Sequence, residues 1–194
     1  MKSESILFLG EASFSFSHSL LKAKFLSQFE HVVASTIMSR DDTVRLYPSA
    51  EQFIEMLVEN GVVVLFGLDA TSQMEQLEGQ KFDHVVFMFP APPLRDRGKI
   101  SESRRLIQTT ASCVGSVLRD NGRFLLSLAA GQGGTDADAE FRRLEGNSWK
   151  VVESCANANL FLHEARLFAK DPMCVAAMQN GYEPTGKKVK GENR

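Results

Sequence analysis

The sequence predicts an α/β fold: a doubly wound, mostly parallel, seven-stranded sheet whose last strand is antiparallel. Three observations carry this. Short apolar runs with no polar face, the pattern of strands covered on both sides, alternate with segments whose apolar residues recur every three or four positions. Three of those runs stop at glycine or proline: Gly10, Gly67 and Pro90. The last two strand-like runs have no clear helix pattern between them, which favours an antiparallel pair at one edge.

Residues 6–9 form the first run, ended by Gly10. Leu21, Phe25 and Phe29, four apart with Leu20 beside them, predict a helix with one apolar face. Residues 32–36 are the second strand. Ser49-Ala50-Glu51-Gln52 fits a capping box, in which the Ser hydroxyl and the Gln amide satisfy each other's backbone donors. Phe53, Ile54, Leu57 and Val58 give the following helix its core face, and Asn60-Gly61 its stop. Residues 62–66 are the third strand and 82–89 the fourth. Pro90-Ala91-Pro92-Pro93 then breaks regular structure. Ile107, Ala111, Val114 and Leu118 mark a helix closed by Asn121-Gly122. Residues 123–128 are the fifth strand, 131–136 a flexible glycine-rich loop, and 149–153 and 165–169 the last strand pair. One domain is expected over 1–182, followed by a polar, disordered tail over 183–194.

Composition narrows the class. Of 194 residues, 43% are hydrophobic and 24% charged, as in ordinary globular proteins. No apolar run approaches the roughly 18 residues of a membrane span, and the N-terminus lacks the pattern of a signal peptide. Cys113, Cys155 and Cys174 are scattered and odd in number, which excludes a disulfide framework and fits a reducing compartment. No His or Cys pair has metal-ligand spacing at His18, His31, His84 or His163. The net charge of −2 says nothing about a small-molecule enzyme and counts mildly against a stand-alone RNA binder, which usually carries a basic patch. The one basic cluster is Lys187-Lys188-Val189-Lys190 with Arg194, read as a solvated tail or, more sharply, as a phosphate-contacting arm.

In open sheets of this kind ligands sit at the carboxyl ends of the strands. After the first strand stands Gly10-Glu11-Ala12-Ser13-Phe14-Ser15-Phe16-Ser17. It is not G-x-G-x-x-G, so the dinucleotide fingerprint fails. A pyrophosphate wants several glycines and a bare helix N-terminus; a ligand with amino and carboxylate groups wants hydrogen-bond partners, which Glu11 and the serines offer. The same serines serve equally well as helix caps. After the third strand, Asp69 can accept from an adenine amine while the Ala70 amide donates to a ring nitrogen; the plainer reading is an Asx turn. After the second strand no acid appears before Asp41, which leaves Thr36 as the candidate for a ribose. After the fourth, Phe89 and Pro90 form a surface on which a base can stack, or a rigid loop.

Residues 6–17, Ile-Leu-Phe-Leu-Gly-Glu-Ala-Ser-Phe-Ser-Phe-Ser, closely resemble the opening signature of the rRNA uridine-N3 methyltransferase-like family. Leu65-Phe66-Gly67-Leu68-Asp69-Ala70-Thr71 and residues 82–90 are similar to its second and third motifs, Tyr47-Pro48 fits between them, and Gly181-Tyr182 echoes its end. The resemblance implies a Rossmann-like class I methyltransferase fold and S-adenosylmethionine as cofactor. It places Gly10, Glu11, Ala12, Ser13 and Phe14 at the cofactor's amino-acid end and Asp69 and Ala70 at its adenine. It implies N3 methylation of a uridine in rRNA, RNA as partner and an intracellular, cytoplasmic or nucleolar setting. The sequence departs from the family at Ala12 for glycine, Met38 for an acid, Met88 for asparagine and Ala91 for histidine. Two other readings therefore stand beside it: a catalytically degenerate interaction module, and a small-molecule methyltransferase. For the base that removes the N3 proton, Glu11, Asp83, Asp96 and Glu102 are all candidates.

Overall fold

The computed structural model describes residues 4–72, 74–93, 96, 98–137 and 145–184. They form β1 (Glu4–Leu9), α1 (Ser15–Lys22), β2 (Phe29–Thr36), α2 (Arg40–Leu46), α3 (Ala50–Glu59), β3 (Val63–Phe66), β4 (Phe82–Met88), α4 (Ile100–Val117), β5 (Leu118–Ser127), α5 (Val151–Ala156) and α6 (Pro172–Gln179). The sheet runs in the order β3-β2-β1-β4-β5, with every pairing parallel. The chain winds outward from β1 through β2 to β3, then returns to the other side of β1 for β4. The strand order thus reverses between β1 and β4.

The alternation of side chains along a strand divides the core in two. Ile6 and Phe8 of β1 join Phe16 and Leu20 of α1, Ile54 and Leu57 of α3, and Met173 and Ala177 of α6. Leu7 and Leu9 point the other way and join Val114 and Val117 of α4, with Leu77 and Phe82. All four β1 side chains are at most 1% exposed, each burial contributing about 1.5–3 kcal/mol of transfer free energy. This is why β1 reads as an unbroken apolar run.

Several local expectations are corrected. The helix expected to reach Phe29 ends at Lys22, because Lys24 takes a left-handed conformation (φ 56°). A 3-10 turn, Phe25–Gln28, and β2 follow. Leu21, Phe25 and Phe29 still pack on one core, but from three different elements. The capping box does not form: Ser49 is already helical (φ −69°, ψ −14°) and makes no side-chain cap bond. Val58 is exposed, not part of the core. α4 stops at Val117, before Asn121-Gly122, since Leu118 is already extended and begins β5.

The sheet has five strands among the described residues, not seven, and the last pair is not strand. Lys150 turns left-handed (φ 50°) and Ser154 N–H donates to its carbonyl at 2.9 Å, so 151–156 winds into α5. Residues 161–167 carry no regular structure and Phe168–Lys170 is a 3-10 turn. Glu183 and Pro184 apart, the expected tail lies outside the described residues, as does its basic cluster.

Candidate functional site

The carboxyl ends of β1 and β4 meet where the strand order reverses, the position at which open α/β sheets hold ligands. Gly10 leaves β1 with φ +65°, and a Cβ built there would stand 2.4 Å from the Phe87 ring of β4. Only glycine fits. Glu11 N–H donates to the Ser35 carbonyl at 2.8 Å, tying the ends of β1 and β2 together. Ala12 is exposed and Ser13 half-buried, its hydroxyl 3.0 Å from that of Ser15.

Phe14 caps α1 in a left-handed conformation (φ 60°) with no side-chain hydrogen bond. It is wholly buried, its ring edge-on to Phe66 at 5.8 Å, so its part is to start α1 rather than to offer a surface. The acceptor that Phe14 lacks comes from Glu11, whose Oε2 receives the Ser17 N–H at 3.3 Å. Glu11 Oε1 is buried without a hydrogen-bond partner. Burial pushes this carboxyl up to about 7, while hydrogen bonds from Ser17 and Phe16 pull the other way.

Thr36 is buried at the end of β2. Its hydroxyl accepts the Met38 N–H at 3.3 Å and its carbonyl the Leu68 N–H at 2.9 Å. Thr36 therefore fastens the end of β2 to the segment after β3, with its hydroxyl turned to its own backbone. Asp69 forms the Asx turn: Oδ1 accepts from the Thr71 N–H at 2.8 Å and the Thr71 hydroxyl at 2.7 Å. Among the described residues, Asp69 Oδ2 and the Ala70 N–H make no hydrogen bond.

On the β4 side, Phe89 is strained into φ 49° and its N–H donates to the Ser127 carbonyl at 2.9 Å. Its half-buried ring lies 5.3 Å from Phe168, Phe168 lies 6.5 Å from Tyr182, and Tyr182 meets Phe16 edge-on at 4.9 Å. A row of aromatic rings thus links the β4 end to α1. Pro90 is buried beside it. Burial, then the Asp171 carboxylate, pushes the Cys174 thiol up to about 12. The Tyr182 phenol is also raised, by burial and then by Glu11 and Cys174. Phe168 and Cys174 are absent from the sequence-level site; only Tyr182 left a trace, in Gly181-Tyr182.

A large open cleft of about 1350 Å³ runs along β5 between α5, residues 158–168 and the start of α6. It reaches Met88, Ser127, Phe168 and Cys174, but neither 10–14 nor 69–70 lines it. Asp83 lies at the opposite edge of the sheet from the strand carboxyl ends, taking hydrogen bonds from Ser5 N–H and Oγ, both at 2.9 Å. Asp96 follows β4, with Lys99 at 2.8 Å, and Glu102 stands in the first turn of α4. His84 pairs with Glu4, His31 with Gln80, and His18 stacks on Phe53. Among the described residues no group of three or more His, Cys, Asp or Glu is placed to hold a metal ion. No described helix is long and apolar enough to cross a membrane.

The chain is 31% identical to the human "Ferredoxin-fold anticodon-binding domain-containing protein 1" over 183 residues, covering 93% of this chain and 27% of that protein. It is 34% identical to the Arabidopsis thaliana "Heavy metal-associated isoprenylated plant protein 41" over 128 residues, covering 63% and 24%. It thus spans about a quarter of the length of these curated relatives. Among solved structures it is similar to a lactate dehydrogenase from a deep-sea metagenome library, at 13% identity and a TM-score of 0.47, covering 82% of this chain and 43% of the other. That likeness is too slight to bear on function. The model of the BMT5-like family, "rRNA (uridine-N3-)-methyltransferase BTM5-like", matches residues 7–173, and the chain belongs to this family.

Proposed function

We propose that this chain is an S-adenosylmethionine-dependent methyltransferase acting on uridine N3 in rRNA. The observation that carries the reading is the free acceptor and donor after β3, Asp69 Oδ2 beside the Ala70 N–H. That pair suits the amine and neighbouring ring nitrogen of an adenine. The cofactor, when bound, supplies an electrophilic methyl group. The protein's share is orientation, worth about 7–11 kcal/mol of barrier in well-aligned systems. Gly10, Glu11, Ala12 and Ser13 hold the cofactor's amino-acid end, with Phe14 buried beneath them as the start of α1. Thr36 positions the strand ends near the ribose rather than binding it through its hydroxyl. Phe89 and Pro90 form the wall against which the uracil lies, reached through the cleft along β5. Asp96 and Glu102 stand on the β4 side and are our candidates for taking the N3 proton; Asp83, at the opposite edge, is not.

The remaining features of this reading are a single domain over 1–182, a polar tail over 183–194, RNA as partner, and a cytoplasmic or nucleolar place in rRNA processing. The half-buried Met88, packed on the core beneath the acceptor wall, favours a second reading, a silent member of the family that serves as an interaction module. Incubating the protein with labelled S-adenosylmethionine and large-subunit rRNA separates the two. Label recovered as N3-methyluridine supports the enzyme; no transfer from a cofactor-bound protein supports the module.

A further inference from the structure

We propose that Glu11 is a specificity-determining residue whose carboxylate fills the N-terminus of α1 and turns phosphate-bearing nucleotides away from the crevice at the end of β1. This deepens the cofactor reading above and rests on it.

A helix start presents unpaired N–H groups and the positive end of the helix dipole, so it attracts an anion. In doubly wound folds that anion is commonly a ligand phosphate. Here Phe14 at the cap has no side-chain acceptor, and Glu11, from three residues earlier, supplies one through Oε2 to the Ser17 N–H at 3.3 Å. The anion site is thus occupied by the chain itself. Glu11 Oε1 lies buried beside it with no partner, so the charge is concentrated rather than shared.

The groups around Glu11 do not neutralise it. Ser17 and Phe16 of α1 offer hydrogen bonds, and Ser35 of β2 takes its N–H. The Tyr182 phenol and Cys174 thiol, on the α6 side, are both held in their neutral forms. No cation pairs with Glu11 among the described residues. A diphosphate brought to α1 therefore meets like charge over the N–H groups it needs. An ammonium or sulfonium meets the opposite.

Glu11→Gln keeps the shape and an acceptor for Ser17 but removes the charge. The full chain and this variant are titrated calorimetrically with NAD+, whose diphosphate keeps a constant charge across the neutral range, and with S-adenosylhomocysteine. Above pH 7 the wild type is expected to bind NAD+ at least about tenfold more weakly than Glu11→Gln. As the pH falls below the Glu11 value of about 7, wild-type affinity for NAD+ should rise toward the variant's, and the variant's should stay flat. The inference is overturned if the folded variant, checked by its melting, binds NAD+ no better than wild type above pH 7. It is equally overturned if wild type binds NAD+ there as tightly as S-adenosylhomocysteine. If the wild type binds no S-adenosylhomocysteine while the NAD+ gain of Glu11→Gln holds, the cofactor reading fails and the role of Glu11 stands.

Discussion

The ring of Phe87 lies against the α-carbon of Gly10, so close that a Cβ on residue 10 would fall 2.4 Å from Phe87 Cε2. β1 and β4 are paired directly below this point, with Leu9 opposite Phe87. The glycine serves the packing of the switch point first, and ligand access through it. Gly10→Ala should cost about 2–4 kcal/mol, from overpacking together with the positive φ. Denaturant unfolding measures it; a loss below about 1 kcal/mol would show that the ring moves aside freely.

Glu11 makes stability fall as pH rises. Its carboxyl titrates at about 7 in the folded protein against an ordinary 4.5, so between those values the native state holds more protons than the unfolded chain. Ionisation then opposes folding, and the penalty is complete above about 7. It amounts to about 3 kcal/mol. Stability of the wild type relative to Glu11→Gln should therefore decline across this window and be level outside it. A difference independent of pH would show that Glu11 is ionised throughout.

Asp69 gives one oxygen to its own turn, and its other oxygen makes no hydrogen bond among the described residues; in the proposed site that oxygen takes the adenine amine. Asp69→Ala removes both and should weaken cofactor binding by about 1–3 kcal/mol. Asp69→Asn keeps a carbonyl for the Thr71 turn but points an N–H at the adenine amine, so it should bind as weakly while melting close to wild type. Tight binding by Asp69→Asn would move the adenine elsewhere.

Asp171 caps α6, its Oδ1 accepting from the Met173 and Cys174 N–H groups at 3.0 and 3.1 Å, with Pro172 in the first turn. α6 packs on α1 and carries the Cys174 thiol to Ser127. Asp171→Ala should lower stability by about 1 kcal/mol. Thermal melting reads this directly; an unchanged midpoint would mean that α6 is held by packing alone.

What was legible in the sequence follows from which forces were local. β1 announced itself because both its faces are buried, and Gly10 because no other residue can make that turn beside Phe87. The end of α1 was not legible: Leu21, Phe25 and Phe29 keep helical spacing, yet the backbone reverses at Lys24 and tertiary packing uses them from three elements. Residues 149–153 read as a short strand, with Val151 and Val152 adjacent, but Lys150 starts a helix instead. Glu11 was visible as a candidate, whereas its fold-back onto Ser17 depends on Phe14 being an uncapped helix start. Phe168 and Cys174 join the β4 end only through the return of the chain after α5, which no local pattern encodes.

In the proposed function the crevice at the ends of β1 and β3 binds S-adenosylmethionine. Calorimetric titration of the full chain with S-adenosylmethionine and S-adenosylhomocysteine decides this. Saturable one-to-one binding of both is expected, weakened in Asp69→Ala. A folded wild-type protein that binds neither would rule out a cofactor site here.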